Sequence, residues 1–294
     1  MVNVDQYEME KARPIPNIAI AADVGEFMEA ILTLPDPKWG DRLHPWLQAC
    51  RHWRTYYLPI SDDYFSDTKH VNSYIFMDVL SNLLNDGDTI LTGNSLDAWS
   101  LYQAFKVQDG QRIFTNINFG SMGWDIPGAI GACVAQKGHR TILVTGDGSF
   151  QFNIQELQTI QHNRLCVKIF VFNNLGYASI RSTQQTHFNG HIVGADASSG
   201  VSCPSFRSIA ESYEMRYEFI HNNEELETII QTTLKGRDAV LCEVNIAYEQ
   251  ARTPRVISHR RQDGTMESGT MENMYPFLPS EEVWRNMHMF DDNS

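Results

Sequence analysis

Two apolar runs constrain this chain more than any other feature. RTILVTGDGSF occupies residues 140–150 and CVKIFVFNNLGY residues 166–177. Neither run alternates apolar with polar residues. Each therefore reads as a strand buried on both faces, which is the condition of a parallel sheet covered by helices on either side. Between them NIQELQTIQHN, residues 153–163, has the length and spacing of one helix. Each run ends in glycine, aspartate or asparagine, so both deliver polar residues to the same end of the sheet.

The flanking sequence repeats the pattern. TILTG (89–93) reads as a strand, AWSLYQAF (98–105) as a short helix and RIFTNI (112–117) as a strand or extended segment. NFGSMGWDIPGAIGACVAQKG (118–138) is a glycine-rich loop running into a helix of small residues. FRSIAESYEM, RYEFI, NEELETIIQTTLKG and AVLCEVNI then alternate helix, strand, helix, strand. Upstream, NSYIFMDVLSNLLNDG (72–87) predicts a helix capped by Asn72 or Ser73 and ended by Gly87. The expected fold is α/β, a doubly wound, mostly parallel sheet with helices on both faces.

The two ends differ. Residues 1–34 read as strand, loop, strand and helix, with Phe27, Ile31 and Leu34 at helical spacing, and resemble the end of a preceding α/β domain. Residues 35–60 begin with the Pro-rich PDPKWGDRLHP, read as a linker, and continue into a plausible helix, WLQACRHWRTYY. The α/β domain is expected over 61–250. From 251 to 294 the periodicity fades and an extended arm is expected, with a short helix from Ser280. Met271, Met274, Tyr275, Phe277, Trp284 and Met287 suggest that this arm packs on something.

Charge and cysteine content narrow the function. The chain carries 36 acidic and 23 basic residues, a formal charge of −13, which opposes nucleic-acid and anionic-membrane partners. Five cysteines, Cys50, Cys133, Cys166, Cys203 and Cys242, are scattered without a C-x-x-C, against a disulfide framework or zinc site and in keeping with a cytoplasmic setting. No apolar run approaches the roughly 20 residues that cross a bilayer, and the first residues lack the apolar centre of a signal peptide.

Ligands of open α/β sheets bind beyond the carboxyl ends of the strands. If the two runs are neighbours, Asp147 and Asn174 meet there. A carboxylate and an amide oxygen are hard ligands suited to Mg²⁺, which completes its shell with phosphate and water. Gly146 and Gly148 let backbone approach a phosphate, and Ser149 leads into a helix whose amides favour anions. The alternative is that Asp147 caps a helix and Asn173-Asn174 form a turn. A dinucleotide fold is disfavoured, since no G-x-G-x-x-G lies between a strand and a helix.

Residues 149 through 172, 24 in number, separate Gly148 from Asn173. This arrangement resembles the GDG…NN signature of thiamine diphosphate enzymes, in the branch of the acetolactate synthases and 2-keto acid decarboxylases. The similarity is to the C-terminal, diphosphate-binding domain and is detailed over about residues 60–250; PRVISHRRQDGTMESGTMENMYPFLPSEE also resembles the end of acetolactate synthase-like chains. The resemblance implies the thiamine diphosphate-binding fold, with Asp147, the side chain of Asn174 and the carbonyl of Gly176 on Mg²⁺. Gly146, Gly148, Ser149, Asn174, Gly176 and Tyr177 would contact the cofactor. FGSMGWDIPGAIGA resembles the aminopyrimidine loop, so Met122 would wedge the cofactor into its V shape, with Gly120 and Ser121 beside it. Gly93, Asn94 and Ser95 match a further diphosphate loop more weakly; alone they read as a turn with a helix cap.

On this resemblance the chain acts on a 2-keto acid by decarboxylation or carboligation, as a lyase or transferase, and forms a homodimer or homotetramer. The family's catalytic glutamate comes from a pyrimidine domain. No residue is nominated for it here, not Glu26 or Glu29, and no catalytic side chain is assigned; His187 and His191 read as loop residues. The expectation is a fragment or split subunit, inactive alone, that needs a pyrimidine-domain partner. A non-catalytic thiamine diphosphate-binding module is the alternative. NNLGYAS departs from the longer acetolactate synthase turn, and Thr183 or Gln184 stands where those enzymes carry a Trp, which puts acetohydroxyacid formation in question.

Overall fold

A computed structural model describes residues 2–5, 15–35, 40–58, 60–260 and 265–289. Residues 36–39 of the expected linker, and 261–264 and 290–294 of the expected arm, lie outside the described residues. The chain divides into two units, Met1–Leu58 and Pro59–Ser294.

In the first unit β1 (Val2–Asp5) pairs in parallel with β2 (Ile18–Ala21). Asp23 caps α1 (Val24–Leu32), its carboxylate accepting from the Gly25 amide at 2.7 Å. The segment expected as a linker carries a long helix, α2 (Gly40–Tyr56), with Pro45 inside it. Among the residues of this unit whose burial is described, Ala49 alone is buried.

The second unit follows the alternation read from the sequence. Its elements are α3 (Ser73–Leu83), β3 (Thr89–Thr92), α4 (Leu96–Ala104), β4 (Arg112–Phe114), α5 (Asp125–Ala135), β5 (Thr141–Gly146), α6 (Asp147–Phe150) and α7 (Glu156–His162). There follow β6 (Val167–Asn173), α8 (Ala178–His187), α9 (Phe206–Ser212), β7 (Arg216–Ile220), α10 (Leu226–Leu234) and β8 (Val240–Asn245). The region expected as an extended arm contains a two-stranded antiparallel hairpin, β9 (Ser258–Arg260) with β10 (Met266–Ser268), and then α11 (Ser280–Met287). Helix α3 is capped by Asn72, whose side chain accepts from the Tyr74 amide, and ends at Leu83, before Gly87.

Six strands form one sheet in the order β4-β3-β5-β6-β8-β7, and every pairing is parallel. Successive residues of the central strands feed opposite cores, as the two-residue period requires. Ile142, Val144, Phe170 and Phe172 join Tyr74, Phe76, Leu101 and Ile230 on one face. Leu143, Ile169 and Val171 join Ile126, Cys133, Leu157 and Phe206 on the other. Phe76 sets its ring edge-on to both Phe170 and Phe172, at 5.3 and 5.0 Å; truncating such a ring to alanine costs ~3–5 kcal/mol.

Strand order reverses between β3 and β5. The chain leaves β3 for β4 on one side, then fills β5, β6 and β8 on the other. A crevice opens at the carboxyl ends of strands at such a reversal. The register places Gly146 opposite Phe172, so the GDG and NN motifs emerge side by side. Among the described residues no helix is long and apolar enough to cross a membrane.

Candidate functional site

At the reversal lies a cavity of about 250 Å³. Its walls include Asn94, Ser95 and Asp97 beyond β3, Gly146 to Ser149 beyond β5, and Asn174, Gly176 and Tyr177 beyond β6. Gly120 and Met122 close one side, and Ala178, Ser179 and Ile180 of α8 another. Of the residues singled out in the sequence, Gly93 and Ser121 do not line it: Gly93 is buried, and Ser121 is exposed.

Asp147 organises the crevice. It is 2% exposed. Its Oδ1 accepts from the Gly148 amide at 2.7 Å, and its Oδ2 from the amides of Asn174 and Gly176 at 3.1 and 2.9 Å. One carboxylate thus ties the end of β5 to the loop after β6. Burial pushes its pKa up to about 6, against the three backbone bonds, which pull it down.

The paired asparagines divide two roles. Asn173 Oδ1 accepts from the Leu175 amide at 3.1 Å, a side chain making the turn, while its Nδ2 donates to Glu243 at 2.7 Å. Asn174 does not make that turn. It is buried, and its Oδ1 has no hydrogen-bond partner. A buried amide oxygen left bare costs about 1–3 kcal/mol, so this atom, on a residue that lines the same cavity as Asp147, asks for a ligand. The Asn174 carbonyl accepts from Arg181 Nη2 at 2.8 Å. Gly176 holds φ at +126°, and a Cβ there would stand 2.4 Å from the Ala195 carbonyl oxygen. Only glycine fits. Its own carbonyl accepts from the Ala178 amide at 3.0 Å.

Gly148 is required for a different reason: a Cβ would sit 2.3 Å from Cε1 of Tyr177, whose ring lies over the glycine, and 3.4 Å from Met122 Cε. Ser149 accepts from the Gly123 amide at 2.8 Å, fixing the glycine-rich loop against α6. Asn94 Nδ2 donates to the Gly120 carbonyl, joining the loop after β3 to the same glycine-rich loop.

Several features escaped the sequence reading. The helix after β5 is a single turn; the longer helix facing the cavity is α8, which starts at Tyr177 without a side-chain cap. Its polar sequence ASIRSTQQTH gives no apolar stripe to reveal it. His187 ends α8 and His191 follows it, both exposed. Asp97 and Asp125 are buried beneath the crevice. Asp97 accepts from the amides of Gly93 and Ser95 at 2.5 and 3.0 Å. Burial, and then the charge of Asp125, push it up to about 6. Asp125 accepts from the Thr145 hydroxyl and is also raised by burial. Both stand in the first turn of their helices, where acidic residues are commonplace.

The floor of the cavity therefore carries buried carboxyls, together with an unpartnered amide oxygen. Among the described residues no three His, Cys, Asp or Glu side chains gather as a metal cluster. The available donors are one carboxylate, one amide oxygen and backbone carbonyl, a hard oxygen set that fits Mg²⁺ rather than a thiolate- or imidazole-seeking metal.

Comparison with known proteins gives a concordant result. Residues 93–244 match the family model described as thiamine pyrophosphate enzyme, C-terminal TPP binding domain. The acetolactate synthase large subunit of Pyropia yezoensis is 28% identical over 258 residues, covering 87% of this chain and 42% of that protein. The acetolactate synthase isozyme 1 large subunit of Escherichia coli is 24% identical over 255 residues, covering 87% and 44%. The chloroplastic acetolactate synthase 2 of Nicotiana tabacum is 24% identical over 264 residues, covering 87% and 39%. The chain thus spans about two fifths of the length of the curated relatives it matches. A parallel sheet reversing at the crevice and a family match spanning every strand from β4 to β8 lead to one conclusion: this chain belongs to the thiamine pyrophosphate enzymes, with their C-terminal TPP-binding domain.

Proposed function

We propose that the crevice holds thiamine diphosphate through Mg²⁺, and that the chain is the cofactor-binding part of an acetolactate synthase-like enzyme acting on a 2-keto acid by decarboxylation or carboligation. The observation that carries this reading is the bare, buried Oδ1 of Asn174 beside the Asp147 carboxylate. A diphosphate brought alone against a buried carboxylate would be repelled, and a divalent cation between them removes the conflict. Asp147 and Asn174 would hold Mg²⁺, with the Gly176 carbonyl as a further donor. Asn94, Ser95, Gly146, Gly148, Ser149 and Tyr177 would surround the diphosphate, and the uncapped start of α8 favours its charge. Gly93 supports this wall from below, and Ser121 borders the loop of Gly120 and Met122.

When bound, the cofactor supplies the electron sink that lets a 2-keto acid lose its carboxyl group. The chain's own part is positioning. Met122 packs against Gly148 and sets the width of the crevice where the cofactor's rings would lie. The bond from Asn94 to the Gly120 carbonyl and that from Gly123 to Ser149 hold the glycine-rich loop in place before any ligand arrives, which lowers the ordering cost of binding. We assign no proton transfer to a side chain of this chain. These 294 residues are proposed to bind cofactor but to need a pyrimidine-domain polypeptide for turnover, in a homodimeric or homotetrameric assembly.

Isothermal titration with thiamine diphosphate, with Mg²⁺ and with EDTA, tests the site. Saturable binding that EDTA abolishes is expected; equal affinity in both buffers would refute the metal assignment. Keto acid turnover is then assayed with and without a pyrimidine-domain polypeptide, while light scattering reads the assembly. Turnover by the chain alone would refute its dependence on a partner. Metal-dependent binding with no turnover in any mixture would indicate a module that holds the cofactor without using it.

A further inference from the structure

A second cavity, of about 230 Å³, adjoins the first. Ser95, Leu96, Ala178 and Ser179 line both. The partition is a hydrogen bond between the Ser95 and Ser179 hydroxyls, 2.5 Å apart. Beyond it the chemistry changes sign. Arg252 and Arg255, from the segment after β8, form the far wall. Both are half-buried, and Arg255 Nε is shielded from solvent with no hydrogen-bond partner. Among the described residues no carboxylate forms an ion pair with either guanidinium. Burial first, and the neighbouring Arg255 second, hold Arg252 below its ordinary pKa.

Arg181 lines the same cavity but is already satisfied. Its guanidinium donates to the carbonyls of Asn174 and Tyr248, both at 2.8 Å, and lies 3.8 Å from the centre of the Tyr248 ring. Glu249 is the one carboxylate in the lining; its Oε1 accepts from Gln185 at 3.5 Å. Two like charges brought together and partly desolvated are unfavourable unless an anion bridges them. Guanidinium forks match planar or tetrahedral oxyanions in two-point contacts.

We propose that this cavity is an oxyanion-binding site, in which Arg252 and Arg255 clasp the phosphate or carboxylate group of a small molecule behind the Ser95–Ser179 partition. The inference is independent of what fills the first cavity.

The test titrates inorganic phosphate, and separately pyruvate, into the chain by calorimetry, with the first cavity saturated by thiamine diphosphate and Mg²⁺. Wild type binds an anion under these conditions. Arg252→Gln and Arg255→Gln each weaken it about ten- to hundredfold, the loss of a charge-assisted hydrogen bond, while thiamine diphosphate affinity stays unchanged and the melting temperature does not fall. Preference for phosphate identifies a phosphoryl ligand, and preference for pyruvate a carboxylate. No anion binding in wild type, or wild-type affinity retained in both variants, overturns the proposal. So does an anion that thiamine diphosphate displaces, since it then occupied the first cavity. If thiamine diphosphate itself fails to bind, the same titration of Asp147→Ala against the arginine variants still reads the second cavity alone.

Discussion

The two cavities are nearly equal in size, about 250 and 230 Å³, and share the Ser95–Ser179 wall, yet they are built from opposite charges. Buried carboxyls, Asp97 and Asp147, line the first, with Asp125 buried close to Asp97. Arginines without a carboxylate partner among the described residues line the second. On the oxyanion proposal a negatively charged ligand enters the second directly. In the function proposed, the first would accept one only with a cation, because desolvated like charges cannot be left facing each other. Neighbouring volumes on one fold can therefore differ in ionic requirement through a handful of residues, while the sheet that positions them stays the same.

The largest expected effect breaks that comparison at its acidic side. Asp147→Ala should weaken thiamine diphosphate binding by about 100-fold or more, as removal of the proposed metal ligand and of three backbone hydrogen bonds demands, and should leave phosphate binding in the second cavity unchanged. Calorimetry on both ligands checks it; equal losses at the two sites would mean that the cavities are one site. Next, Gly176→Ala forces a side chain into φ +126° and against the Ala195 carbonyl. A loss of about 3 kcal/mol in urea unfolding is expected, and a loss below about 0.5 kcal/mol would show that the loop relaxes freely.

A third prediction concerns pH. Asp97 has its pKa pushed up to about 6 from an ordinary 3.8, so between those values the folded chain holds a proton that the unfolded chain has released. Stability should fall as pH rises from about 4 to about 6, and level off above, as linkage requires. Asp97→Asn should flatten that slope while lowering stability overall, because its amide group would meet the Gly93 or Ser95 amide with a donor. Melting curves across pH decide it, and an unchanged slope in the variant would move the effect to another carboxyl. The smallest expected effect sharpens the comparison at the shared wall. Ser95→Ala removes the hydroxyl pair, and phosphate affinity measured with and without thiamine diphosphate should differ about threefold more than in wild type.

The sheet was legible because continuous apolar runs have few other uses, and Asp147 and Asn174 because both stand at strand ends. Their division of labour was not: no sequence rule says that Asn173 takes the turn and Asn174 is left bare. Helix α8 was missed because ASIRSTQQTH has neither stripe nor cap, and it is held by contacts from afar, as in the bonds of Arg181 to the loop carbonyls. Asp97 and Asp125 stand in the first turns of helices, where acidic residues are commonplace, and only their burial sets them apart. Arg252 and Arg255 sit where periodicity fades, so nothing local marked them as neighbours. Helix α2 runs through residues read partly as linker, because Pro45 and the nearby charges outweighed its helical stretch in that reading.

Arg181 has a consequence for how the molecule opens. One guanidinium holds the carbonyl of Asn174, in the loop beneath the first cavity, and that of Tyr248, at the entry to the segment bearing Arg252 and Arg255. Neither segment can peel away without stranding a buried cation, so their amides belong to one cooperative unit in hydrogen exchange. Filling either cavity would then slow exchange in both.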